Sequence, residues 1–120
     1  MTGGKLMAQQ LNVGIIGVGM AFEKLHYPAL KELSDRFRIV ALCDTNLEKA
    51  YYWGKILGLG EENIYEDFHD MIGRKDIDLF DIMVPIPLNY IVTEEVARGI
   101  SGTGKGIICE KPSASNLKDA

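Results

Sequence analysis

Apolar residues along this chain follow two alternating periods. Continuous apolar runs at 13–16, 37–43, 78–84 and 106–109 have the length of strands buried on both faces. Between them the apolar residues recur at helical spacing. Phe22, Leu25, His26, Ala29, Leu30 and Leu33 make one stripe, and Leu47, Ala50, Tyr51, Gly54 and Leu57 make a second. Leu88, Ile91, Val92, Val96 and Gly99 make a third. Trp53 and Tyr52 flank the second stripe as packing residues, and Gly58 and Gly60 end its helix. Residues 63–65 read as a short edge strand, and 67–72 as a short helix with Phe68, Met71 and Ile72 inward. Pro28 lies inside the first stripe, so a kink or a break into two short helices is expected there.

Strand and helix in alternation predict a doubly wound, Rossmann-like parallel sheet of class α/β. Its three layers are α/β/α and its expected strand order is 3-2-1-4-5. Two residues sit awkwardly in this plan. Asp81 falls in a strand covered on both faces, where a carboxylate needs a hydrogen-bonded partner. His26 falls on a packed helix face and reads as a core or capping histidine rather than a catalytic one.

Ligands on such sheets bind beyond the carboxyl ends of the strands, where the strand order reverses. Gly17 and Gly19 follow the first strand, and a helix is expected to begin near Gly19 or Met20. Glycine lets the backbone turn sharply and approach a pyrophosphate, which the unpartnered N–H groups of Met20 and Ala21 would receive. Asp44 follows the second strand, a little over 20 residues later, where an acid can accept hydrogen bonds from ribose hydroxyls. It also suits an ordinary helix cap. Thr45 stands beside it, Val84 and Pro85 follow the fourth strand, and Glu110-Lys111-Pro112 follow the fifth. These features meet on one rim.

Composition narrows the function classes. The 120 residues allow one domain, placed at 11–120 after a loose leader at 1–10. At 47% hydrophobic and 25% charged, the chain has a globular composition. A net charge of −4 without a block of Lys and Arg argues against nucleic acid and anionic membrane as partners. No apolar run approaches the ~20 residues of a membrane span, and no signal-peptide core is present, so a cytoplasmic location is expected. Cys43 and Cys109 would stand about 14 Å apart in the expected sheet, too far for a disulfide. His26 and His69 are not at ligand spacing from them, so no metal is expected.

With these residues in view, the sequence resembles the N-terminal domain of the glucose-fructose oxidoreductase / inositol dehydrogenase / MocA family. The resemblance runs from Asn12 to the end. It rests on Ile16-Gly17-Val18-Gly19, His26-Tyr27-Pro28-Ala29-Leu30, Asp44, Ile77-Asp78, and above all Gly104-Lys105-Gly106-Ile107-Ile108-Cys109-Glu110-Lys111-Pro112. It implies an NAD- or NADP-dependent dehydrogenase of a sugar, a cyclitol or a related hydroxyl compound, homo-oligomeric at full length. Lys111 would be catalytic, lying near substrate and nicotinamide and helping to remove the proton of the reacting hydroxyl. Glu110 would accept hydrogen bonds beside the cofactor, and the Lys111–Pro112 bond can be cis.

Three departures qualify the resemblance. Phe22 stands at the third position of the glycine fingerprint, where Gly or Ala would let the helix pack closest, so the helix must sit differently there. After Pro85 the family carries Asn and, three residues on, His, whereas this chain has Ile86 and Asn89. Asn89 can hydrogen-bond a nicotinamide ribose or amide but cannot titrate near neutral pH. The chain also ends where the family's substrate domain would begin, so this piece alone is expected to be inactive. Asp44 without a neighbouring Arg favours NAD, while Lys49 leaves room for NADP. A non-catalytic dinucleotide-binding or redox-sensing module is the alternative. A methyltransferase would share the glycine turn and the acid but leaves Glu110-Lys111-Pro112 unexplained.

Overall fold

A computed structural model of the chain describes residues 10–109. Residues 1–9, nearly all of the expected leader, lie outside the described residues, as do Glu110, Lys111 and Pro112. Five parallel strands form one sheet: β1 (Leu11–Ile16), β2 (Phe37–Cys43), β3 (Ile64–Tyr65), β4 (Leu79–Ile82) and β5 (Gly106–Cys109). Their order is β3-β2-β1-β4-β5, as the alternation predicts. The strand order therefore reverses between β1 and β4. One register shift, between Val13 and Gly14 against Ile39 and Ala41, leaves Val40 as an extra residue in β2.

Residue alternation along the strands separates two apolar layers. Val13 and Ile15 of β1 and Leu42 of β2 face one side, where they meet Phe22, Leu30 and Trp53. Ile16, Ala41, Cys43, Phe80 and Ile82 face the other, where they meet Met71, Val92, Val96 and Ile100. The first side is covered by the segment that becomes helical at Met20 and by α2 (Leu47–Leu57). The second is covered by α3 (His69–Ile72) and α4 (Ile86–Gly99).

The first helical segment departs most from its pattern. It opens with a π-helical stretch, Phe22–His26, closed by Tyr27 N–H to Phe22 O, and continues as α1 (Tyr27–Glu32) with Pro28 at its start. Proline has no N–H to give to the carbonyl four residues back, and its ring crowds that carbonyl, so a wider turn just upstream relieves both problems. The extra residue in the turn shifts the helical phase. Leu25 and Leu33, placed on the buried stripe by a 3.6-residue period, are exposed, and only Phe22 and Leu30 of the apolar set are buried.

Phe22 is completely buried and packs edge-on against Trp53, with ring centroids 5.1 Å apart, while Tyr27 meets Trp53 at 5.0 Å. The helix thus rides on an aromatic ring where a small residue would let it sit lower. Burying such a ring contributes about 2–3 kcal/mol. On α2 the buried residues are Ala50, Trp53 and Gly54, and Tyr51 is exposed. Trp53 therefore takes the core position assigned to Tyr51, because the aromatic cluster draws the helix round.

Asp81 has its partner. Its carboxylate is buried on the Phe22 side of β4, and Oδ2 lies 2.8 Å from His26 Nδ1. A carboxylate only accepts, so Nδ1 carries the proton of this bond. Opposite the ligand rim, Asp78 ties the strand starts. Its N–H donates to Asn12 O, and its Oδ2 accepts from Asn12 N, both at 2.8 Å. Lys105 Nζ donates to the carbonyls of Lys75 and Ile77. These two residues of the resemblance are structural. Among the described residues no helix is long and apolar enough to cross a membrane.

Candidate functional site

The carboxyl ends of β1, β2 and β4 are stitched together by backbone bonds. Gly17 N–H donates to Cys43 O and Met83 N–H to Ile16 O, each at 2.8 Å. Above this junction lies a cavity of about 640 Å³. Its floor and walls include Gly17, Gly19, Asp44, Thr45, Val84 and Pro85 from the expected site.

The two glycines serve different ends. Gly17 has φ +101°, and a Cβ there would stand 2.5 Å from Met83 O, so the fold itself demands glycine. Gly19 has no such constraint, and a Cβ on it would meet nothing within 4 Å. It borders the cavity with open space beside its backbone. The helix begins at Met20, next to Gly19, and the earliest bond of the turn is Glu23 N–H to Gly19 O at 3.0 Å. This turn has two features that suit a pyrophosphate, a fixed backbone bend at Gly17 and open space beside Gly19 for close approach.

Asp44 is bound into the same turn. Its Oδ2 accepts from Val18 N–H at 2.9 Å and its Oδ1 from Asn46 N–H at 2.8 Å. The cap of α2 is Asn46, whose Oδ1 accepts from Lys49 N–H, so Asp44 is not the helix cap. A carboxylate has about four acceptor sites, and the two backbone donors leave capacity for two ribose hydroxyls. The geometry thus joins the glycine turn and the acid through one hydrogen bond.

Other expected residues lie apart from the cavity lining. Met20 is largely exposed, and Ala21 packs against the Phe22 cluster. Asn89 is buried in the first turns of α4, with its Oδ1 accepting from Thr93 Oγ1 at 3.2 Å. Glu110 and Lys111 lie outside the described residues.

The cavity also gathers residues that the sequence reading did not assign to it. Leu88 and Ile91, taken for core, are 53% and 54% exposed and line it together with Val92 and Phe68. Helical spacing reports apolarity and cannot distinguish a face buried by protein from one left for a ligand. Glu66, His69 and Glu95 complete the wall. His69 Nδ1 lies 2.6 Å from Asp67 Oδ1, and its Nε2 meets Glu95 Oε1. Hydrogen bonding to Glu95, and then to Asp67, holds the imidazole above its ordinary value. The backbone N–H of His69 and then its ring hold Asp67 below the usual carboxylate range. Cys43 forms part of the floor, where burial, aided by the nearby Asp44 carboxylate, pushes its thiol up to about 12.

Comparison with known proteins agrees with this geometry. Residues 11–120 match the model of the GFO/IDH/MocA family, described as an oxidoreductase family with an NAD-binding Rossmann fold. D-apiose dehydrogenase of Paraburkholderia graminis is 33% identical over 88% of the chain. Inositol 2-dehydrogenase of Azotobacter vinelandii is 32% identical over 87%. The WlbA dehydrogenase of Bordetella pertussis, solved with NADH and UDP-GlcNAcA, superposes over 92% of the chain with a TM-score of 0.74 at 26% identity. The chain spans 26%, 29% and 31% of the lengths of these three proteins. With a parallel sheet reversing at β1 and β4, a glycine turn bonded to an acid, and a family match over nearly its whole length, the chain belongs to the GFO/IDH/MocA oxidoreductases and forms their NAD-binding Rossmann domain.

Proposed function

We propose that the whole protein is an NAD(P)-dependent dehydrogenase that transfers hydride between a nicotinamide cofactor and a sugar, a cyclitol or a related hydroxyl compound, and that it works as a homo-oligomer. The pyrophosphate lies on Gly17, Gly19 and the N–H groups of Met20 and Ala21. Asp44 and Thr45 take the adenosine ribose, while Val84, Pro85, Asn89 and Glu110 border the nicotinamide half. The cofactor supplies hydride transfer. Lys111 holds the reacting hydroxyl and accepts its proton. The named relatives, which include a sugar dehydrogenase and a cyclitol dehydrogenase, support this substrate class.

The observation that carries the reading is the Val18 N–H to Asp44 bond beside Gly19, whose open flank no packing demand explains. Cofactor preference follows from charge. Asp44, Glu66 and Glu95 border the cavity, and a 2′-phosphate there would meet carboxylates with Lys49 as a counter-charge, so NAD is favoured over NADP. Titrating the chain with NADH by fluorescence tests the proposal. Saturable binding is expected, weakened about tenfold or more by Asp44→Ala, the loss of a charged hydrogen-bonding group being about 1.5–3 kcal/mol. Absence of NADH binding by the folded chain would end it.

One observation favours a second reading. The position where the family carries a titratable histidine holds Asn89, buried and bonded to Thr93, which moves no proton. A dinucleotide-binding sensor needs no proton transfer there. Turnover of a polyol by the full-length protein decides against the sensor.

A further inference from the structure

The cavity has an apolar part that the dinucleotide reading leaves without a role. This part, here the slot, is lined by Phe68 just before α3 and by Leu88, Ile91 and Val92 of α4. The half-exposed Leu88 and Ile91 of α4, with Phe68 beside α3, suit a flat heteroaromatic ring such as adenine. Across the end of this slot His69 reaches from α3 to Glu95 on α4. The imidazole lies against the Phe68 ring, centroids 4.2 Å apart and planes inclined by 27°.

We propose that His69 and Glu95 form a clasp that sets the width of the adenosine slot, and that this pair determines how tightly the adenosine half of the cofactor is held. The clasp joins the start of α3 to α4, whose far ends already pack through Ile72 and Gly99, and it rests on the reading of the cavity as a dinucleotide site. The ring is held at both nitrogens, by Glu95 from α4 and by Asp67 from the turn before α3. A neutral imidazole has one N–H and can donate to one of these carboxylates, so donating to both requires the imidazolium. The other charged groups along the cavity are Glu66, Asp44 and Lys49. Both contacting carboxylates hold the imidazole above its ordinary value. The charged clasp is therefore complete below about pH 6.5 and is lost as pH rises through the raised value.

Calorimetric titration of the chain with ADP-ribose, the dinucleotide without its nicotinamide ring, tests this across pH 5.5 to about 9. Both residues are solvent-exposed enough for their variants to stay folded, which circular dichroism verifies. At about pH 6, His69→Ala and Glu95→Gln should each weaken binding about fivefold or more, a typical coupling between linked sites. Their affinities should converge with that of the unmodified chain at the alkaline end. His69→Gln, whose amide donates to Glu95 at every pH, should restore part of the affinity and remove its pH dependence. If both variants bind ADP-ribose like the unmodified chain while Asp44→Ala does not, the clasp is wrong and the dinucleotide site stands. If the unmodified chain does not bind ADP-ribose at all, the site reading falls with it.

Discussion

The two faces of the sheet are built from similar amounts of apolar side chain and end in different states. On the Phe22 side three aromatic rings close the layer: Phe22, Tyr27 and Trp53 interlock, and the helix entering from Gly19 is propped on them. On the Val92 side the layer is closed only toward the strand starts, by Met71, Val96 and Ile100. Toward the strand ends Leu88 and Ile91 are left half exposed on the cavity. The apolar cluster on the first face holds the fold, whereas Leu88 and Ile91 on the second are available to a ligand. Mutations on the two faces should therefore separate stability from binding.

Phe22→Ala should have the largest effect. It removes a fully buried ring from the aromatic cluster and should cost about 3–5 kcal/mol in urea denaturation. Ile91→Ala, an equally apolar change on the open face, should cost under about 1 kcal/mol while weakening NADH binding several-fold. Equal destabilisation by the two would erase the distinction between the faces.

The glycines draw the same contrast at closer range. Gly17→Ala forces a side chain into a positive-φ turn against Met83 O and should destabilise by about 1–3 kcal/mol. Gly19→Ala meets no protein atom, so stability should change by no more than about 0.5 kcal/mol. Its methyl group would occupy the pyrophosphate's approach, and NADH affinity should drop about tenfold. A Gly19→Ala variant that binds normally would remove the reason given for that glycine.

Much of this division was legible in the sequence. The strands β2 and β5 fall on the residues that apolar runs indicated, because a strand buried on both faces needs nothing else to mark it. The parallel sheet followed from alternation, the strand order is that of the Rossmann-like class, and Gly17, Gly19 and Asp44 do converge. What failed did so for one local reason and several tertiary ones. The π-helical stretch broke the 3.6-residue phase ahead of Pro28, so Leu25 and Leu33 were misplaced. Trp53 displaced Tyr51 because an aromatic cluster formed across two helices, which no single-helix period encodes. Asp81 looked anomalous until His26, 55 residues away, was brought beside it. The contact between His69 and Glu95 is likewise a product of tertiary packing, joining positions 26 apart on different helices.

The central claim is that the glycine turn, Asp44 and the slot between α3 and α4 are one dinucleotide site. Mapping amide chemical shifts of the isotopically labelled chain during titration with NADH tests it directly. Saturating shifts are expected at Val18, Gly19, Asp44, Asn46, His69 and Ile91, with Lys31 and Arg38 at the opposite end of the sheet unmoved. Shifts centred on Lys31 and Arg38, or none in a folded chain at saturating NADH, would contradict it.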